Sequence, residues 1–373
     1  MTEPIQPSAK VARPRLPGLD VTRAIALIGV VVMNYHGYLN GGDDLINRSL
    51  AERIFDPFQG PLSTRFAATF VLVAGMGVTL LTNRGRLAKD KGVVREDRWR
   101  LARRGLLLYS AGFVVEWIWS GTILFFYGAF FIVGSLLFTL RIRWLVLIGT
   151  ASALIAAWVQ WWRIDADAKG HFTFWLDPSP DTPRNLLLRT FIGHTHPLFP
   201  WLAFFCAGII LARYLPLRTA ARSTLIAIGV VLVALTYAIN HFATPDVEDA
   251  ASDRWRMLLS TRPFDRGVLY TVGTLGSSLV AFCLISWLAD QFPSAGPTRW
   301  FQHAGQMTLT LYVLHVLTFN YVVHWKGWIR PTGLDTALAF AVGFWVFAIA
   351  FGGLWHKRFG AGPLERIYRG FGG

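Results

Sequence analysis

Cysteine is scarce in this chain: two in 373 residues, Cys206 and Cys283, both inside apolar runs. Two such thiols make no disulfide framework, zinc motif or nucleophilic-cysteine signature, and buried cysteine behaves as a small hydrophobe. Charge is scarce too. Only 16% of residues are Asp, Glu, Lys or Arg, too few to cover a soluble domain of this size. There is no Walker A loop, Rossmann glycine fingerprint, G-x-S-x-G elbow or H-E-x-x-H helix, so ATP-driven transport, redox chemistry and serine- or zinc-type hydrolysis find no support. No small-residue cleavage site follows the first apolar run, which therefore reads as a retained span and not as a signal peptide.

What is present is apolar. Hydrophobic residues make up 53% of the chain, with 16 Trp and 28 Phe. Runs of about 17–25 apolar residues recur, each long enough to cross roughly 30 Å of hydrocarbon. The expected fold is an all-α, polytopic membrane helix bundle of ten spans, at 18–38, 61–82, 102–120, 123–140, 144–162, 197–214, 221–242, 266–289, 304–324 and 335–356. Residues 1–17 read as a disordered polar tail, and 18–373 as one multi-span domain with long outer loops at 163–196 and 242–265. Alternate loops differ in charge. One set, with both termini, holds 22 Lys and Arg and 6 acids; the other holds 13 and 14. The positive-inside rule then places both termini in the cytosol of a cell (inner or plasma) membrane. The net charge of +14 points to anionic lipid head groups, not nucleic acid, as partners. An oligomer is left open.

Polar residues inside such spans are costly and mark structure or function. On an ideal helix Asp20, Arg23, Leu27, Asn34 and Tyr38 share one stripe. Asp20 and Arg23, at i and i+3, can pair with each other or line the approach of a cytosolic ligand. His36 points away from that stripe unless the helix ends before it, as Gly37 suggests; its ordinary pKa suits a general base. Thr308, Tyr312 and His315 fall on one face, for a structural hydrogen bond or a substrate contact. His194 and His196 precede the sixth span, where they suit an interfacial loop locked by Pro197 and Pro200 or contact with a polar acceptor better than a metal, for which no third ligand is fixed. Glu116 needs a partner, and Arg65 is a candidate by topology. The loop 83–104 holds nine basic residues, for lipid or for the phosphates of a CoA-type donor.

The motif Gly18-Leu19-Asp20-Val21-Thr22-Arg23-Ala24, followed by Met33-Asn34-Tyr35, resembles the opening of the heparan-α-glucosaminide N-acetyltransferase superfamily. The stretches Gly193 to Arg213, Gly305 to Tyr312 and Gly362-Pro363-Leu364-Glu365 are similar to its mostly uncharacterised bacterial branch. The resemblance implies a transmembrane acyltransferase that moves an acyl group, acetyl by the superfamily's name, from cytosolic acyl-CoA to a sugar or glycolipid on the far side. No tightly bound cofactor or metal is implied. Characterised members use an Asn at the end of the first span, matched by Asn34, and a His in the next outer loop. That loop, 39–60, has no histidine here. His36, His194, His196 and His315 are the remaining candidates for the base.

The reading is therefore an integral-membrane acyltransferase, with Asn34, His36 and His315 as catalytic candidates. Asp20, Arg23, Tyr38, Arg65, Glu116, His194, His196 and Tyr312 are its substrate-binding candidates. The alternatives are a transporter or flippase for a polar lipid or small solute, whose translocation path the same stripe would line, and a structural membrane protein.

Overall fold

With almost no water-soluble surface to build, long apolar runs satisfy their backbone groups internally as helices. The structure is a computed structural model, and it describes residues 17–39, 49–176, 178–179, 182–193, 195–244 and 250–372. All regular structure among the described residues is helical. It comprises α1 (Pro17–Leu39), α2 (Leu50–Ile54), α3 (Arg65–Ala88), α4 (Lys91–Glu116), α5 (Leu124–Leu137), α6 (Ile142–Ala168), α7 (Pro183–Phe191) and α8 (Leu198–Ala212). The second part has α9 (Thr219–Ala243), α10 (Ala250–Leu258), α11 (Val268–Gln291), α12 (Gly296–Gly305), α13 (Thr308–Phe319), α14 (Leu334–Phe359) and α15 (Pro363–Gly372). The tail before residue 17 lies outside the described residues.

Among the described residues six helices are long and apolar enough to cross a membrane: α1, α3, α6, α9, α11 and α14. A seventh is added if α12 and α13, bent by 80° at their junction, count as one span. Helices occupy all ten expected stretches, but three of them fall short of that standard. The first half of α4 carries Arg95, Glu96, Asp97, Arg98, Arg100, Arg103 and Arg104. The other two, α5 and α8, have 14 and 15 residues, below the ~20 that span hydrocarbon. The chain is a multi-pass membrane protein.

The centre of the bundle is α1, packed against α3, α11, α12, α13 and α14. Its residues Leu27, Val31 and Tyr35 are fully enclosed. Close approach depends on small residues: a Cβ on Gly75 of α3 or Gly208 of α8 would strike the backbone of the opposite helix, the small-residue packing that membrane helices use. By contrast α9 keeps an exposed apolar face at Ile228, Val230, Val231 and Leu235, as a lipid-facing helix should. A carboxylate sets the start of α13. The Oε1 atom of Glu365, on α15, accepts from the amides of Leu309 (2.7 Å) and Thr310 (3.1 Å), while Oε2 accepts from the Thr310 hydroxyl at 2.6 Å. The carboxyl group satisfies donors that a helix N-terminus exposes. The Gly362–Glu365 motif is thus a cap that fixes how α13 enters the bundle.

Candidate functional site

The last turns of α1 open onto a cavity of about 300 Å³. Asn34 and Tyr38 line it from α1, Thr64, Phe66 and Ala67 from the start of α3, and Trp119 to Gly121 and Ile123 from the turn between α4 and α5. Thr195 and His196, Phe264 and Tyr312 complete it. Among the described residues no charged side chain lines it. Its walls are aromatic, with a few amide, hydroxyl and imidazole groups, a composition suited to a polar organic ligand.

The turn from 117 to 123 is held from both sides. Glu116 accepts from the amides of Gly121 (3.1 and 3.2 Å, one to each oxygen) and Thr122 (3.1 Å). Its Oε1 pairs with Arg189 Nη2 of α7 at 2.7 Å. Among the described residues Arg189, not Arg65, therefore pairs with Glu116, and the carboxylate serves as a clamp on the turn. Sequence reasoning had no means to find this, because 73 residues separate the two. On the cavity side, the hydroxyl of Tyr312 accepts from the Ile123 amide at 3.0 Å and shares a hydrogen bond with Thr122 Oγ1 at 3.0 Å. Tyr38 donates its hydroxyl proton to the Ser120 carbonyl. The two tyrosines predicted from helical periodicity thus converge on one turn.

Asn34 has a defined partner. Its Nδ2 lies 3.3 Å from His315 Nε2. His315 Nδ1 donates to the Tyr312 carbonyl, which leaves Nε2 as the lone-pair nitrogen that accepts from Asn34. His315 is completely buried, packed against Tyr312, Trp119 and Tyr35. Tyr35 in turn donates to the His315 carbonyl at 3.0 Å. His315 does not line the cavity; it sits behind Asn34 and fixes the carboxamide.

His36 has another fate. The helix α1 runs on to Leu39, so the early end suggested by Gly37 does not occur. The ring is 3% exposed and its Nδ1 donates to the Phe55 carbonyl at 2.6 Å. It too is absent from the cavity lining. His196 does line it, with its ring against Trp201 (centroids 4.6 Å apart) and its Nδ1 2.7 Å from Thr195 Oγ1. His194 lies outside the described residues.

Asp20 and Arg23 are at the far end of α1. They pair at 3.6 Å, and Asp20 Oδ2 accepts from Gln306 at 2.9 Å. Eleven residues from Arg23 to Asn34 correspond to roughly 16 Å along the helix, so neither touches the cavity. Gly305 lets α12 approach so closely that a Cβ there would strike the Asp20 carbonyl. A residue missed from the sequence, Tyr127 of α5, lies within electrostatic reach of both Arg23 and Tyr312. Its buried hydroxyl has no hydrogen-bond partner among the described residues.

Among the described residues no group of three or more His, Cys, Asp and Glu could hold a metal ion. Residues 15–241 match the family model described as "Heparan-alpha-glucosaminide N-acetyltransferase, catalytic". Residues 213–371 match a second, described as a protein of unknown function, DUF418. Among curated proteins no significant match is found.

Proposed function

Because this chain belongs to the heparan-alpha-glucosaminide N-acetyltransferase catalytic family, we propose that it moves an acyl group from acyl-CoA to a sugar or glycolipid bound in the Asn34 cavity. Family membership makes it a membrane acyltransferase in the general sense; donor, acceptor and sidedness are our reading. The observation that carries this reading is that one cavity brings together Asn34 and His196. His196 takes the proton of an acceptor hydroxyl or amine, whose oxygen or nitrogen attacks the thioester carbonyl. The developing oxyanion accepts from Asn34 Nδ2–H. The carbon–sulfur bond then breaks, and the departing CoA thiolate takes the proton from His196. His315 acts through Asn34 as a positioning residue, because its Nε2 anchors the second Nδ2 proton.

Loop charge supports a cytosolic N-terminus in a cell membrane. The donor would then approach past Arg23 and Tyr127, and the acceptor from the opposite face. Aromatic walls suit the apolar faces of a sugar ring. The test is labelled acetyl-CoA supplied to purified protein in lipid nanodiscs with cell-envelope glycan and lipid fractions as acceptors. Label should enter an acceptor fraction with wild type and be lost with Asn34→Ala and His196→Ala. Absence of label together with donor-independent flipping of a polar lipid in liposomes would replace this reading with a translocator.

A further inference from the structure

The last helix, α15, has three distinct sides. It follows a turn at Gly360 (φ 73°), which Trp355 closes by donating its indole N–H to the Ala361 carbonyl at 3.2 Å. Glu365, Tyr368 and Gly372, at i, i+3 and i+7, face the protein. Glu365 is the cap of α13, Tyr368 lies 5.1 Å from the Arg104 guanidinium, and the Gly372 carbonyl accepts from Arg103 Nη2 at 3.1 Å. Leu364, Ile367 and Phe371 repeat at the same spacing on a second side. Ile367 and Phe371 are 61% and 53% exposed. Arg366 and Arg369, both exposed, hold the third side, opposite the apolar one. The helix sits at the Asp20 end of the bundle, because α13 starts just after Gly305, which touches the Asp20 carbonyl. Lys357, Arg358 and Arg103 add exposed cations there. The lipid-facing side of α14, exposed at Val346, Phe347, Leu354 and Phe359, leads into α15. Arg366 lies 5.7 Å from the centre of the Phe359 ring and donates to its carbonyl.

We propose that α15 is an interfacial anchor for anionic lipid. Its Leu364, Ile367 and Phe371 enter the leaflet that borders the Asp20 end of the bundle, and Arg366 and Arg369 meet the lipid phosphates there. A short helix with one apolar and one basic side settles in the plane of a membrane interface, held by buried apolar area and by attraction to anionic head groups. The occupant is a leaflet because the apolar side continues the lipid-facing surface of α14 and is flanked by cations of its own helix. The anchor is independent of the reaction assigned to the Asn34 cavity.

The test places one fluorophore on the full chain. Phe371→Cys is labelled with nitrobenzoxadiazole, and wild type serves as the blank because Cys206 and Cys283 are buried. The protein is held in nanodiscs of phosphatidylcholine, alone or mixed equally with phosphatidylglycerol, with a doxyl quencher near the top of the acyl chains. The doxyl lipid should quench the label. The ratio of docked to undocked helix should rise about fivefold or more in the mixed bilayer, the worth of one basic residue near an anionic surface. High salt should erase that gain, as should Arg366→Gln combined with Arg369→Gln. Should the double variant not fold, the salt arm decides. A label on Gly370→Cys, about 100° round the helix, where an added side chain meets open space, should stay open to aqueous iodide. Three results would overturn the proposal: iodide reaching position 371 as freely as 370, equal quenching in both bilayers, or a label at 371 shielded from iodide and doxyl lipid alike, as a second copy of the chain on this face would produce.

Discussion

Asn34 and His315, 281 residues apart in sequence, meet Nδ2 to Nε2 at 3.3 Å across the interface of α1 and α13. The imidazole is locked by the Tyr312 carbonyl on its other nitrogen, so the pair has one tautomer and one orientation. This makes His315 an orienting residue. His315→Gln should lower kcat for acyl transfer about 10- to 100-fold with little change in KM, as misplaced oxyanion donors do. Combined with Asn34→Ala it should add nothing, because the two act as a unit. An additive double variant would show that His315 works independently of Asn34. The pH–rate profile of His315→Gln should keep its acid limb.

The choice between His196 and His36 is testable in the same assay. His196→Ala should cost about 10²–10⁴ in kcat and abolish the acid limb of the profile, as loss of a general base does. His36→Ala should leave transfer within a few-fold. It should instead lower stability by about 1 kcal/mol, since a buried hydrogen bond to the Phe55 carbonyl is lost. The reverse pattern would restore His36 as the base.

Much of this arrangement was legible in the sequence. Polar residues spaced along apolar helices announced the Asn34–Tyr38 and Tyr312–His315 faces, and the i, i+3 spacing announced the Asp20–Arg23 pair. What could not be read depends on contacts between distant segments. Arg189 sits on a short amphipathic helix inside a loop that offers no periodic signal, yet it neutralises Glu116. Gly37 looks like a helix stop, but the packing of Tyr35 and Leu39, both fully buried, carries α1 past it. Hydropathy and length together support six or seven of the ten expected spans and part company at charged α4 and short α5 and α8.

The Glu116–Arg189 pair is almost wholly enclosed, with side chains 2% and 6% exposed. Arg189→Met leaves a buried carboxylate without this cation. It should destabilise the protein by about 3–5 kcal/mol, the usual cost of orphaning one member of a buried pair. Glu116→Leu with Arg189→Met should recover part of that loss. Chemical denaturation followed by tryptophan fluorescence checks both, and a neutral Arg189→Met would show that the turn is held by its amides.

Tyr127→Phe separates a packing role from a role on the donor path. The hydroxyl has no hydrogen-bond partner among the described residues, so its removal should leave stability unchanged or slightly raised. If the group meets the donor between Arg23 and Tyr312, KM for acyl-CoA should rise by about 5- to 20-fold, the worth of one net hydrogen bond or a little more. Unchanged KM and kcat would take Tyr127 off that path.

Burial of Glu365 predicts a pH dependence of the fold whose sign can be worked out. Burial pushes its carboxyl above the ordinary range, and this outweighs the lowering by the Thr310 hydroxyl and the Thr310 and Leu309 amides. The native state therefore holds this proton more tightly than the unfolded chain does. By linkage, its contribution to stability is greatest below the unfolded carboxyl value and declines as pH rises through the raised native one. Glu365→Gln keeps an acceptor oxygen for the first turn of α13 but cannot ionise. The wild-type melting temperature minus that of Glu365→Gln should therefore fall as pH is raised from about 4 towards neutrality, the window opened by an ordinary carboxyl near 4.3. A difference that is flat with pH would mean that the cap holds no excess proton. A difference that grows with pH would mean that the three donors to Glu365 prevail over its burial, and the carboxylate would then be the stabilising form at the start of α13.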